Sequence, residues 1–213
     1  MKPQAWPLYG LRIRTPRLEL RLPDLELLDE LSSVAAAGVH APDTMPFTVP
    51  WTDGTPAERG RAVFQHVLSS IADWSSRDWS LSLAVLHEGR VVGRQDVMAK
   101  DFAVTGEVST GSWLGLAHQG RGIGTEMRAA ALQLAFAGLG AGSAVSSAMT
   151  DNPRSLGVSR RLGYLPDGLE VAALRDSRVT LQRLRLERDR WEEHRTVEVT
   201  VDGLDDCRAA FGV

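Results

Sequence analysis

The chain has 213 residues, 43% apolar and 24% charged, with a net charge of −3. It is long enough to bury a substantial core, and its charge offers no field for nucleic acid. A lone cysteine, Cys207, excludes an internal disulfide and any multi-cysteine metal site, and no apolar run is long enough to cross a bilayer.

In chain order, RLELRLPD from Arg17 alternates apolar and charged residues and predicts a half-buried strand ending at Pro23. Asp24 then caps a helix, LELLDELSSVAAA, that stops at Gly38. Residues 39–56, VHAPDTMPFTVPWTDGTP, hold four prolines, which forbid regular structure, while Met45, Phe47, Val49 and Trp51 supply apolar surface. An ordered loop is expected. Thr55, Pro56 and Glu58 open a second helix, with Ala62, Phe64, Val67, Leu68, Ile71 and Trp74 at helical intervals to about Ser75.

WSLSLAVL and VVGRQDVMA, joined at HEGR, read as a β-hairpin, and GEVSTGSWLGL, residues 106–116, as a third strand. Gly111 marks a bulge in that strand or a place where something approaches the backbone closely. Ile123, Met127, Ala130, Leu134 and Ala137 form one helical stripe. SAVSSAM is a short strand, Asn152 caps a further helix with Pro153 at its first position, and LEVAAL and TLQRLRLER are the last strands. Residues 192–213 read as a tail of undefined structure, and the chain has neither repeats nor low-complexity segments.

QGRGIGTEM, residues 119–127, places three glycines between a strand and a helix. Unpaired N–H groups at a helix start, together with the helix dipole, make an anion site, and glycine lets a phosphate come close. Gln119, Gly120, Arg121, Gly122, Ile123, Gly124 and Thr125 fit that design, with Arg121 adding charge, so the expected ligand carries a diphosphate. The turn is not followed by the Lys-Ser/Thr of a P-loop, and no N-terminal βαβ unit supports a dinucleotide fingerprint. A turn that merely closes a β–α connection is the alternative.

The glycine block, followed by NPRSLGVSRRLGY, resembles the GNAT superfamily of N-acyltransferases, with its Gln/Arg-x-x-Gly-x-Gly/Ala motif and downstream Asn-x-x-Ser/Ala and Leu-Gly-Phe/Tyr. TPRLELRLPD and GSWLGLAHQGRGIGTEM are most similar to the branch that acetylates ribosomal-protein N-termini, and MPFTVPWTDGTP is similar to an actinobacterial branch that also uses succinyl-CoA. The resemblance spans about residues 11–191 and implies an α+β (mixed α/β) fold. Its central, mostly antiparallel twisted sheet would be splayed in the middle, with helices on both faces. The diphosphate of an acyl-CoA would sit on residues 119–125, and the pantetheine arm would pair with Trp113, Leu114 and Leu116 like an added strand. Asn152 and Ser155 would complete that site.

Direct transfer needs a neutral amine, a polarised thioester carbonyl and a proton for the thiolate. Backbone N–H groups around Leu114 are candidates for polarising the carbonyl. The tyrosine that protonates the thiolate in much of the family falls at Ser159, so Ser155 and Ser159 are the hydroxyl candidates, while Tyr164 reads as a packing residue. Glu107, His40 and Asp43 are candidate bases, each with a solvated surface role as the alternative. Arg94 and His40 are candidate partners for a succinyl carboxylate. Metal is not required. The expectation is one cytoplasmic domain over residues 1–213, with no signal-peptide core in MKPQAWPLYGLRIRTPRLEL, able to form homo-oligomers and independent of membranes and nucleic acid. It would move acetyl, or alternatively succinyl, from CoA to an amine of a small molecule or protein. A non-catalytic acyl-CoA sensor is the rival reading.

Overall fold

The two long helices of the first half begin where a side chain can satisfy their free N–H groups. The computed structural model describes residues 5–213; the first four, which begin the stretch read for a signal peptide, lie outside the described residues. Strands β1 (Arg12–Arg14) and β2 (Leu18–Arg21) pair antiparallel. Asp24 Oδ1 then accepts the Leu27 N–H at 3.0 Å and starts α1 (Leu25–Ala37). Thr55 and Glu58 cap α2 (Pro56–Ala72) reciprocally, in a capping box. That helix ends at Ala72, short of the predicted Ser75, and Trp74 beyond it donates its indole N–H to the Ala210 carbonyl at 2.9 Å.

β3 (Asp78–His87) and β4 (Arg90–Lys100) form the predicted hairpin, closed by Glu88 at φ 53° and Gly89 at φ 76°. Positive φ at both central residues matches the twist of the strands. A single turn, α3 (Phe102–Thr105), leads into β5 (Glu107–Leu114), and α4 (Ile123–Gln133) follows the glycine turn. A π-helical turn at Leu134–Gly138 inserts extra chain and breaks the periodicity, so Ala137 leaves the predicted stripe for the surface. β6 (Ser143–Met149), α5 (Pro153–Arg161), β7 (Leu165–Leu174) and β8 (Ser177–Glu187) complete the predicted set. The C-terminal tail is ordered as α6 (Arg188–His194), β9 (Thr200–Asp202) and α7 (Arg208–Phe211).

The strands build one sheet, β7-β8-β6-β5-β4-β3-β2-β1-β9, antiparallel except where β5 meets β6. α1 and α2 cover one face, where Leu28, Leu31 and Val67 pack on Ala84, Leu86, Val91 and Trp113. α4 covers the other, its Ile123 and Met127 in a core with Leu20, Val97, Leu114 and Leu184. This is the mixed α/β, splayed-sheet architecture that the resemblance implied. No helix among the described residues is long and apolar enough to cross a membrane.

Two strand glycines differ in kind. A Cβ at Gly93 would stand 2.3 Å from the Trp113 carbonyl oxygen, so the β4–β5 approach demands glycine there. At Gly111 the nearest atoms, Asp96 Oδ2 and Met98 Cε, would lie 3.7 Å away, and the β4–β5 register runs through Gly111 without a shift. Of the two readings of Gly111 the bulge is therefore absent, and a Cβ there would make ordinary van der Waals contact with those two atoms. Gly93→Ala should lower unfolding free energy by about 1–3 kcal/mol in urea titration. Gly111→Ala should leave it unchanged or raise it by up to about 1 kcal/mol, because a strand glycine carries an entropic penalty.

Candidate active site

β5 holds two partners at its start and one at its end. Its parallel pairing with β6 covers only Glu107, Val108 and Ser109, opposite Ser143, Ala144 and Val145. β6 stays with β8 to Met149, while β5 stays with β4 to Leu114. The two strands therefore part after Ser109. Main-chain groups of an antiparallel strand alternate in direction, and the Gly115 N–H bonds the Val92 carbonyl at 2.9 Å. Counting back, Leu114, Ser112 and Thr110 turn their N–H and C=O groups away from β4, into the wedge. Ser146 Oγ on β6 reaches the Thr110 carbonyl at 3.4 Å, and Gln119 Nε2 donates to the Leu114 carbonyl at 3.0 Å.

The glycine turn sits over this wedge. Gly120 (φ 75°) and Gly122 (φ 78°) occupy the left-handed region, and α4 begins with no side-chain cap, leaving its first N–H groups for a ligand. The turn is held from below. Glu126, buried in the first turn of α4, accepts from Thr15 Oγ1 at 2.6 Å and pairs with Arg17 at 2.5 Å, and Arg17 also donates to the Arg121 carbonyl at 3.2 Å. Arg154 of α5 donates to Gln119 Oε1 at 3.2 Å. With Arg17 neutralised by Glu126, Arg121 and Arg154 are the cations of the turn without a carboxylate partner among the described residues. A Cβ at Gly124 would touch Leu114 and Val158 at 3.8 and 3.9 Å, between β5 and α5.

The hydroxyl candidates part company. Asn152 Oδ1 accepts the Ser155 N–H at 3.1 Å as the cap of α5, and Ser155 is half-exposed with its own hydroxyl unengaged among the described residues. Ser159 is fully buried, accepting from Arg128 at 2.9 Å and donating to the Ser155 carbonyl at 3.3 Å. Tyr164 is buried, with its hydroxyl 3.4 Å from Thr110 Oγ1; burial raises its pKa, against the pull of Arg128.

Of the candidate bases, Glu107 lies at the closed end of the wedge, bonded to Arg185 at 2.6 Å and Ser143 at 3.0 Å. His40 spends its ring nitrogens on the Ala41 carbonyl and Thr52 Oγ1, both at 2.8 Å, as a staple of the proline-rich loop. Asp43 is exposed on that loop. Phe47 and Trp51 pack at a 45° tilt with ring centroids 5.1 Å apart, and Trp51 reaches Trp113 at 5.8 Å, so the loop aromatics wall the α2 side of β5. Asp53 pairs with Arg175 at the β7–β8 tip at 2.5 Å, tying the loop across to that hairpin.

Sequence reasoning missed what lies opposite Gly111. Asp96 on β4 gives one carboxylate oxygen to Arg94, at 3.0 Å, while its other oxygen is buried without a partner. Ser82, its cross-strand neighbour on β3, is fully buried with an equally unpartnered hydroxyl. His66 of α2 feels both Arg94 and Asp96; desolvation first and Arg94 second lower its pKa, favouring the neutral ring at pH 7. Arg94, the candidate for a succinyl carboxylate, thus already has a carboxylate partner within the fold. The available signal was the i, i+2 spacing of Arg94 and Asp96 on one face of a central strand.

A splayed sheet with an uncapped, glycine-started helix over its free edge defines the class of CoA-binding acyltransferases. Residues 17–165 match the acetyltransferase (GNAT) domain, and the chain belongs to that family. Among solved structures it is similar to Mycobacterium smegmatis RimJ in complex with CoA-disulfide, at TM-score 0.70 and 16% identity over 99% of this chain and 97% of that one. RimL, a ribosomal L7/L12 α-N-protein acetyltransferase bound to CoA, gives TM-score 0.65 and 18% identity over 82% and 96%. The microcin C7 self-immunity acetyltransferase MccE, with acetyl-CoA and AMP, gives 0.62 and 17% over 81% and 93%.

Because Gly124 faces the gap between β5 and α5, Gly124→Ala should fold and bind CoA. Gly124→Trp should keep a native circular dichroism spectrum yet lose CoA binding in calorimetry.

Proposed function

We propose that this chain is an acetyl-CoA-dependent N-acetyltransferase that moves the acetyl group directly to a primary amine of a protein N-terminus or small molecule. The observation that carries the reading is the free edge of β5, with the Ser112 and Leu114 N–H groups turned into the wedge below the glycine turn. An extended pantetheine has amides that can pair with such an edge as another strand would. Its diphosphate then meets the N–H groups of residues 120–124, with the Thr125 hydroxyl beside them, and Trp113 and Leu116 flank the arm.

In this reading the Leu114 N–H polarises the thioester carbonyl and the free hydroxyl of Ser155 faces the sulfur. The amine arrives over Gly111, where the Asp96 carboxylate, whose Oδ2 lies nearest the glycine, accepts its proton and His66 passes it towards solvent. Acetyl is favoured over succinyl because Arg94 is already neutralised by Asp96, and a second carboxylate there would be buried without compensation. The burial of Ser159 supports one rival, a CoA-binding module that turns nothing over. Thiol release from acetyl-CoA with a panel of amines separates the two, since a sensor releases none.

Acetyl-CoA should exceed succinyl-CoA in kcat/KM by about tenfold or more with one accepted amine, a difference of about 1.4 kcal/mol in the transition state. A succinyl preference of that size would overturn the choice of donor. Asp96→Asn should lower kcat/KM by about 10²-fold or more for an alkylamine of pKa near 10, and less for an α-amine of pKa near 8, whose neutral fraction at pH 7 is about a hundredfold larger. Equal losses for both amines would remove Asp96 from the proton path.

A further inference from the structure

Below the free part of β5 the fold buries a cation with no anion beside it. Arg128 of α4 is only 6% exposed; it donates to Ser159 Oγ at 2.9 Å and to Ser112 Oγ at 3.3 Å, and its Nε–H meets no acceptor. Two other inward-turned guanidinium groups, on Arg59 and Arg188, end on carbonyl oxygens of Gly54 and Ala36 and of Phe136 and Ala141. Arg128 has only hydroxyls, and among the described residues no carboxylate pairs with it. Tyr164, the ionisable neighbour, is a buried phenol whose pKa is raised by desolvation, so it supplies no counter-charge.

The three elements that hold this group, β5, α4 and α5, are the walls of the wedge. Ser112 belongs to the stretch of β5 that β6 has left, and Ser159 lies one helical turn beyond Ser155. Ser159 accepts from Arg128 and commits its own proton to the Ser155 carbonyl. It is therefore a support for the guanidinium and has no proton to spare. A desolvated cation with an unspent N–H is suited to a negative charge that exists only during a reaction.

We propose that Arg128 stabilises the CoA thiolate as it leaves, in place of a side-chain acid. The inference rests on the acyl-CoA reading above. The amine nitrogen bonds to the thioester carbon, and when the tetrahedral intermediate collapses the C–S bond breaks with its electron pair going to sulfur. The thiolate forms against the guanidinium, the proton lost by the amine leaves on the opposite face of β5, and the sulfur is protonated by water as CoA departs. Ser112 and Ser159 are positioning residues that aim the guanidinium.

The charge should act on product as well as on the transition state, so the test is the thiol pKa of CoA bound to the full-length protein, followed by ultraviolet thiolate absorbance. In wild type it should fall by about one unit or more below that of free CoA, as thiols do beside arginine. Arg128→Met should abolish the shift, with Arg128→Gln serving where the Met variant does not fold. CoA should also bind wild type more tightly than desulfo-CoA at alkaline pH, and the variants should lose that preference. Bound CoA with an unshifted thiol, or a shift that persists without the guanidinium, would overturn the role of Arg128 alone. Failure of wild type to bind CoA would overturn the acyl-CoA reading and this inference with it.

Discussion

The structure turns on a competition between two strands for one edge. β6 cannot follow β8 to Met149 and also follow β5 to Leu114, and it keeps β8. Past Ser109, β5 is left with main-chain donors and acceptors facing no strand, which folded chains do not leave buried and unpaired. The Ser146 hydroxyl meets the Thr110 carbonyl and the Gln119 amide meets the Leu114 carbonyl. The rest suit an extended ligand with amides of its own. Because the strand edge leads upward into Gly120, Gly122 and the uncapped start of α4, the same ligand needs an anionic end. The CoA proposed above meets both demands.

The two faces of β5 then differ in charge. Side chains alternate along the strand, so Gly111 and Trp113 face α2 while Thr110, Ser112 and Leu114 face α4 and α5. Across Gly111 lies the carboxylate of Asp96, and below Ser112 lies the guanidinium of Arg128. In the proposed mechanism a proton leaves the amine on the first side and negative charge gathers on sulfur at the second. Both groups are nearly excluded from water, where fixed charges act more strongly than at the surface. The arrangement asks little of residues that must move. It also accounts for a serine at 159: a larger side chain there would compete with Arg128 for the space between α4 and α5.

Local rules made much of the fold legible. Asp24, Thr55 with Glu58, and Asn152 with Pro153 start helices where capping chemistry requires, and Glu88-Gly89 closes its hairpin. The glycine turn could be read as an anion site because its three glycines and the helix after it lie within one short stretch. The site's other charges were not legible, since each depends on distant pairing. Asp96 is informative only once β4 is set between Ser82 and Gly111, and Arg128 only once α4, α5 and β5 enclose it. A faint signal existed in MRAAAL, where a charge falls among apolar residues, all buried except the half-buried Ala129. The π turn after Gln133 and the docking of β9 on β1 carry no local signature.

Residue-resolved amide hydrogen exchange with and without CoA tests the wedge most directly. The account predicts that CoA slows exchange at Ser112 and Leu114, whose N–H groups face the opening, and at the start of α4. Gly111 and Trp113, already turned towards β4, should change little. Protection confined to other strands, or equal along odd and even positions of β5, would contradict the claim that CoA completes the sheet at this edge.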